Sequence, residues 1–290
     1  QILTNMPSEA GTIDVGKVPP DSLLLKQSRQ ASVLCLLALL AACGGGGGGS
    51  GSGGESEAAT LAAVIAWNQI AVDASGLDHA PPNVGPPHQQ HQLGPTRSSR
   101  AMAIVHIATF EAMLAIRGGY QSYLSLPQVV EETSVLAGIA QAAHDTLVAL
   151  FPSQSQIMAT HLADALSEVP DDAAKTRGIA LGQATAQAIL DLRANDQSDL
   201  PEPVIGVNYW TSNAPGRWRQ DPISQIPVAL GANWSMVTPF ALQSANQFRT
   251  PPPPPLPDGE YTACFDEVKA LGGDGVVTPT VRSEQATQVG

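Results

Sequence analysis

The sequence predicts an all-α, or mainly α, protein: a bundle of antiparallel helices crossed by one long irregular segment rich in proline and aromatic residues. Three observations carry that expectation. Hydrophobic residues make up 43% of the 290 residues, enough to fill a core, while charged residues contribute 14% and aromatics only 4%. Alanine is abundant, which favours close helix-on-helix packing over a sheet sandwich. Apolar positions also recur at helical spacing along several stretches that glycine and proline interrupt.

Taken in order, the first helix is expected over residues 57–75, with Leu61, Val64, Ile65, Asn68 and Val72 on one face and Gly76 as its C-cap. A loop of proline, histidine and glutamine follows, and helical spacing returns over 97–117 through Met102, Val105, Ile107, Phe110 and Leu114 until Gly118-Gly119 stops it. A third helix is expected over 134–151 and a fourth over 153–169, with Ser153 as N-cap and Pro152 and Pro170 as breakers. Such short links make neighbouring helices antiparallel. Asp171 is expected to cap a fifth helix reaching Ala194, in which Ala174, Gly178, Gly182 and Ala186 recur at every fourth position and admit another backbone closely. Over 195–257 the periodicity fails for longer than an ordinary connection allows. This stretch holds Tyr209, Trp210, Trp218, Trp234, Phe240 and Phe248, and is expected to pack onto the helices as a strap. A short helix over 261–271, closed by Gly272, and the start of another at Ser283-Glu284 complete the chain.

The formal net charge of −12 and a pI near 4.7 repel a phosphate backbone, and no lysine or arginine cluster reverses the sign locally, which excludes nucleic acid as a partner. Residues 31–42 form an apolar run of signal-peptide length, too short to span a bilayer as a helix, preceded by Lys26 and Arg29. Leu40-Ala41-Ala42-Cys43 closes the run and resembles the bacterial lipobox. The resemblance implies cleavage before Cys43, acylation of that residue and export, with the chain anchored by lipid to a bacterial membrane on the periplasmic or cell-surface side. Residues 1–25 exceed what a signal needs, so the start is expected at Met6 or further in. The organisation that follows is a signal peptide with an N-terminal extension over 1–42, a lipidated cysteine with a Gly/Ser tether over 43–56, and a helical part over 57–290. With Cys35 removed and Cys43 lipidated, Cys264 is left without an internal disulfide partner.

Few side chains invite chemistry. His79, His88 and His91 crowd one loop with Asp78, a set that would need further carboxylates or a cysteine to hold a metal, so a solvated polar loop is the expected reading. His106 with Glu111, and the adjacent pair His144 and Asp145, lack the i, i+4 spacing of helical ligands, and each histidine is expected to be satisfied by a neighbouring helix. There is no Gly-x-Ser-x-Gly elbow, no His-Glu-x-x-His and no Cys-x-x-Cys, and the Gly/Ser run lacks the strand and Gly-Lys-Ser/Thr of a phosphate loop. Pro251 to Pro255 reads as a stiff polyproline strap.

Word order, beyond composition, resembles the N-terminal half of bacterial vanadium-dependent haloperoxidases, relatives of the type 2 phosphatidic acid phosphatases. The segments that carry it are Ala66-Trp67-Asn68, then Arg100-Ala101-Met102-Ala103-Ile104-Val105-His106-Ile107-Ala108 with Phe110-Glu111-Ala112, then Ala140-Gln141-Ala142-Ala143-His144-Asp145. Gly216-Arg217-Trp218-Arg219, Val237-Thr238-Pro239-Phe240, Gln247-Phe248-Arg249 and Phe265-Asp266-Glu267-Val268-Lys269 continue it in the same order. Glu111 departs from the aspartate that the family usually carries after its phenylalanine.

The resemblance implies a helical bundle that holds vanadate on a histidine, with lysine, arginines and a serine around its oxygens, and a phosphatase would use the same pocket for phosphate. Those residues belong to a lysine placed before an Arg-Pro pair, a Ser-Gly-His box and a later arginine and histidine. The sequence contains no Arg-Pro and no Ser-Gly-His, so no catalytic, cofactor-binding or metal-binding residue is carried over, and vanadate is expected in the parent enzyme only. The expected partners are a C-terminal catalytic half, a membrane through the lipid on Cys43, and a second copy of the parent as a homodimer. The alternatives are a phosphatase of the same superfamily and a non-enzymatic helical lipoprotein with a binding role. Replacing Cys43 by serine should abolish incorporation of labelled palmitate in a bacterial host and move the protein from the membrane to the soluble fraction. Unchanged labelling would exclude Cys43 as the acylated residue.

Overall fold

A computed structural model describes residues 55–86, 88–256 and 258–289; the signal segment, Cys43 and the Gly/Ser tether lie outside the described residues. Those residues form an all-α structure, with helices α1 (Glu57–His79), α2 (Pro95–Arg117), α3 (Val135–Leu150), α4 (Ser155–Ser167), α5 (Ala173–Arg193), α6 (Gly259–Leu271) and α7 (Glu284–Val289). Two 3-10 turns, Pro152–Gln154 and Trp234–Met236, complete the helical elements, and no strand forms among the described residues.

The start of each helix follows local chemistry. Ser56 and Ser134 N-cap α1 and α3, their hydroxyls accepting the Ala59 and Ala137 amides, while Pro95 occupies the first turn of α2, where its missing N–H costs nothing. Three expected boundaries move. The α1 helix runs through Gly76 to His79, because the stop is set by Pro81, which forces Ala80 into extended backbone (φ −70°, ψ 152°). Asp172, not Asp171, caps α5 by accepting the Lys175 amide at 2.9 Å. Ser153 lies inside a 3-10 turn and accepts the Gln89 amide instead of capping α4, whose N-cap is Gln154.

The central helix is α3, which packs against α1, α2, α4 and α5. Its side chains Ile139 and Leu147 are fully buried with Ile104 of α2, Phe151, Met158 of α4 and Ile189 of α5, each contributing about 1.5 to 3 kcal/mol by leaving water. The closest approach is between α3 and α5, where the small-residue repeat acts as the sequence predicts. A Cβ added at Gly182 would stand 2.6 Å from the Gly138 carbonyl oxygen and 2.9 Å from the Ala142 amide, and one at Gly178 would strike the Ser134 carbonyl. Gly138 returns the favour from α3, leaving room for the Gly178 carbonyl and Ala112.

The buried face of α1 is a correction. Thr60, Trp67, Ala71, Ala74 and Asp78 face the bundle, whereas Leu61, Ile65, Asn68 and Val72 are exposed, and of the predicted face only Val64 packs partly against the core. Both stripes are helically spaced, and the selection falls on Trp67 because one large ring and two alanines let α1 lie close to α2 and α3. The second helix, α2, is long and apolar enough to cross a membrane, but half of that apolar window is buried inside the protein, as a core helix requires.

The segment over 195–257 is a strap anchored at a few points. Paired backbone bonds, Ile205 N–H to Pro227 O and Ala229 N–H to Pro203 O, both 2.9 Å, close its first excursion into a loop. Phe240 packs on the core and Trp234 is half-buried, but Trp210, Trp218 and Phe248 are exposed, so the expected wholesale packing of the aromatics is corrected to a local one. Trp218 finds Tyr209 edge-to-face at 5.6 Å rather than a helix.

The glycine geometry generates a paired prediction in denaturant unfolding. Gly182→Ala should lower stability by about 1 to 3 kcal/mol, because backbone atoms of α3 must retreat. Gly76→Ala, in open space within α1, should raise it by about 0.5 to 1 kcal/mol.

Candidate functional site

The histidine-rich loop is built as a structural joint. The buried Asp78 carboxylate accepts the His91 and Gln92 amides, both at 2.8 Å, which folds the loop back over the end of α1. His79 lies with Nδ1 2.8 Å from the Ser75 carbonyl and accepts the Gly94 amide on Nε2, joining the ends of α1 and α2. His88 is buried with Nδ1 2.9 Å from the Pro86 carbonyl and Nε2 3.0 Å from the Ala80 carbonyl. Carbonyls only accept, so both contacts are hydrogen bonds only when the ring is protonated. The Pro86 and then the Ala80 hydrogen bond raise the imidazole pKa above its usual value, with help from the charge of Asp78 and against the cost of burial. The His79 and His88 rings are thereby committed to backbone, whereas His91 Nε2 is buried without a hydrogen-bond partner, and among the described residues no three His, Cys, Asp or Glu side chains converge to hold a metal ion.

The other histidines are local too. Exposed His106 meets Asn68 of α1 at 3.1 Å, a neighbouring helix as expected. His144 instead pairs with Asp145 on its own helix at 2.7 Å, and Gln141 donates to the same Asp145 oxygen at 2.7 Å. Glu111, one of the largest fully buried side chains, does not approach His106. Its carboxylate accepts the Ser122 hydroxyl and the Tyr123 amide at 2.5 and 2.6 Å and pins the loop after α2.

The densest charged cluster escaped sequence reasoning. Arg100 on α2 and Arg193 at the end of α5 both donate to one oxygen of Asp196, each at 2.7 Å, and all three side chains are mostly buried. Arg193 also donates to the Thr238 and Pro239 carbonyls and lies 4.0 Å above the Phe240 ring, which ties the strap to the helices. The second Asp196 oxygen accepts the Ser198 amide at 3.1 Å. Burial alone would raise the Asp196 pKa, but hydrogen bonds from Arg100 and Ser198 with the Arg100 charge hold it below the usual carboxylate range. Beside it Arg97 pairs with Glu202 at 2.6 Å. The only local signal in the sequence is Arg193 three residues before Asp196; the pairing with Arg100 spans 96 residues and leaves no periodic trace.

Against this cluster lies an open pocket of about 290 Å³ between one face of α2 and the strap, walled by Ala103, Trp234, Val237, Phe240 and Leu242, with Arg100 at its polar side. The residues present do not fit vanadate. Arg100 and Arg193 are already turned on Asp196 and on backbone carbonyls, no lysine joins them, and the Ser-Gly-His box is not in the sequence. No family model, curated protein or solved structure matches the chain.

Two outcomes follow. Asp196→Asn should cost about 3 kcal/mol in chemical denaturation, since it strips two buried guanidinium groups of their counter-charge. In the unsubstituted protein the Asp196 contribution is complete above the unfolded carboxylate pKa of about 3.9 and is lost as pH falls through the lower folded value. The His88 contribution has the opposite sign: it is complete below the unfolded value of about 6.5 and fades as pH rises through the raised folded value. A melting profile should therefore lose stability from pH 6 to pH 9 in the wild type and less so in His88→Gln.

Proposed function

We propose that the chain is the N-terminal, non-catalytic half of an exported, lipid-anchored enzyme resembling the vanadium-dependent haloperoxidases, whose helices support a catalytic bundle supplied downstream. The observation that carries this reading is apolar surface left bare in two places among the described residues. On α1 the stripe of Leu61, Ile65 and Val72 is exposed along the side opposite Trp67. Over 258–289 no hydrophobic side chain is buried: Phe265, Val268 and Leu271 line one side of α6, and Val276, Val277 and Val281 follow, all exposed. Contiguous apolar surface of this kind is what a further domain would cover. The segments that carry the resemblance also have separate structural parts to play, Trp67 in the core, Arg100 in the ion cluster and His144 paired with Asp145.

A second reading, a non-enzymatic lipoprotein with a binding role, is favoured by Trp210 and Phe248, which stand 77% and 76% exposed on the strap. The discriminating experiment expresses the protein with its downstream reading frame and assays bromide oxidation with peroxide, with and without vanadate, alongside phosphate-ester hydrolysis. Vanadate-dependent bromide oxidation is expected from the longer protein and none from the 290-residue chain. Hydrolysis alone would move the assignment to a phosphatase, and neither activity would leave the binding role.

A further inference from the structure

The cavity beside the Arg100 cluster has a composition that selects a ligand, and this holds whatever the parent enzyme does. One wall is a single face of α2, with Thr96, Ser99, Arg100 and Ala103 at positions i, i+3, i+4 and i+7. The opposite wall comes from the strap, where Trp234, Val237, Phe240 and Leu242 present ring and aliphatic surface. At about 290 Å³ the space suits a molecule of roughly ten to fifteen non-hydrogen atoms.

Most polar groups around it are committed, and the one charged side chain in its lining keeps a free position that can only donate. The carboxylate of Asp196 is taken by Arg100, Arg193 and the Ser198 amide. The Thr238 and Pro239 carbonyls are taken by Arg193. Arg100 uses Nε on Asp196 and Nη2 on the Arg193 carbonyl, so Nη1 has no partner among the described residues. One turn away the Thr96 hydroxyl is buried with no partner either. Two guanidinium groups against one carboxylate leave a single positive charge in excess, and the neighbouring Arg97 is neutralised by Glu202. That charge is mostly withdrawn from water, with the Arg100 side chain 11% exposed, which strengthens its attraction for an anion.

We propose that this cavity binds a small organic carboxylate with a flat apolar body, its carboxyl group accepting from Arg100 Nη1 and its ring lying between Ala103 and the Trp234, Val237 and Phe240 wall. A cation would meet the excess positive charge, and a neutral hydrocarbon would leave Nη1 unpaired. The site also has a structural consequence: a ligand seated there bridges α2 and the strap and stabilises the attachment that Arg193 begins.

The test uses the full chain and two probes that share a naphthalene body, 1-naphthoate and 1-naphthalenemethanol, titrated by calorimetry and by saturation-transfer NMR. Saturable binding of the carboxylate, about tenfold tighter than the alcohol, is expected from the added charge-assisted hydrogen bond. Ala103→Phe should fill the cavity and remove binding. Ala245→Trp on the exposed rim, further from the packed helices, should weaken it at an unchanged melting temperature. Equal affinity for both probes would overturn the carboxylate assignment. Binding that survives both substitutions in folded protein would overturn the location, and no saturable binding at millimolar concentration would overturn the site.

Discussion

The approach of α3 to α5 is the constraint on which the rest of the structure depends. Gly178 and Gly182 bring the backbone of α5 against the carbonyls of Ser134 and Gly138, close enough that a methyl group does not fit. That proximity places Arg193, at the far end of α5, within reach of Arg100 on α2, since both helices pack on α3. The ion cluster then captures Asp196 and the Thr238 and Pro239 carbonyls, and with them the strap. Helix packing by small residues thus determines where an otherwise irregular segment attaches.

Carboxylates, buried at Asp78 and Glu111 and half-buried at Glu55, supply the remaining long-range ties. Glu55 reaches across the sequence to the start of α3, where it accepts the Ser134 hydroxyl and the Val135 and Leu136 amides at 2.5, 2.6 and 3.0 Å. An anion there satisfies free amides and meets the positive end of the helix dipole. Arg117 at the end of α2 donates to the Glu55 carbonyl and the Thr60 hydroxyl, so α1, α2 and α3 meet at this corner. Glu111 and Asp78 do the same for the loops after α2 and α1. The carboxylates of Glu55, Asp78 and Glu111 are therefore occupied in holding chain segments to the helical core.

Much of this was legible in the sequence because its causes are local. Helices α1 to α6 follow from apolar spacing bounded by serine, aspartate, proline and glycine, α7 only from its start at Ser283-Glu284, and the contact of α5 from a repeat of small residues every fourth position. What failed has non-local causes. On α1 two stripes compete, and tertiary fit of Trp67 and the alanines decides which is buried, not hydrophobicity alone. The strap aromatics were expected inside on the strength of their size, yet only Phe240 and Trp234 lie where the Arg193 anchor holds the strap against α2. The candidate cavity was invisible for the same reason, being made by residues of α2 and the strap more than a hundred positions apart.

Helices α3, α5 and their partners form the cooperative unit, while residues 258–289 carry exposed apolar side chains that this unit does not cover. Native-state hydrogen exchange measures this directly, because protection follows burial and tertiary contact. The slowest amides are expected in α3 and in α5 around Gly178 and Gly182, with α6 and α7 exchanging orders of magnitude faster despite their helical hydrogen bonds. Protection in α6 equal to that of α3 would contradict it, since α6 would then be packed as part of the same core.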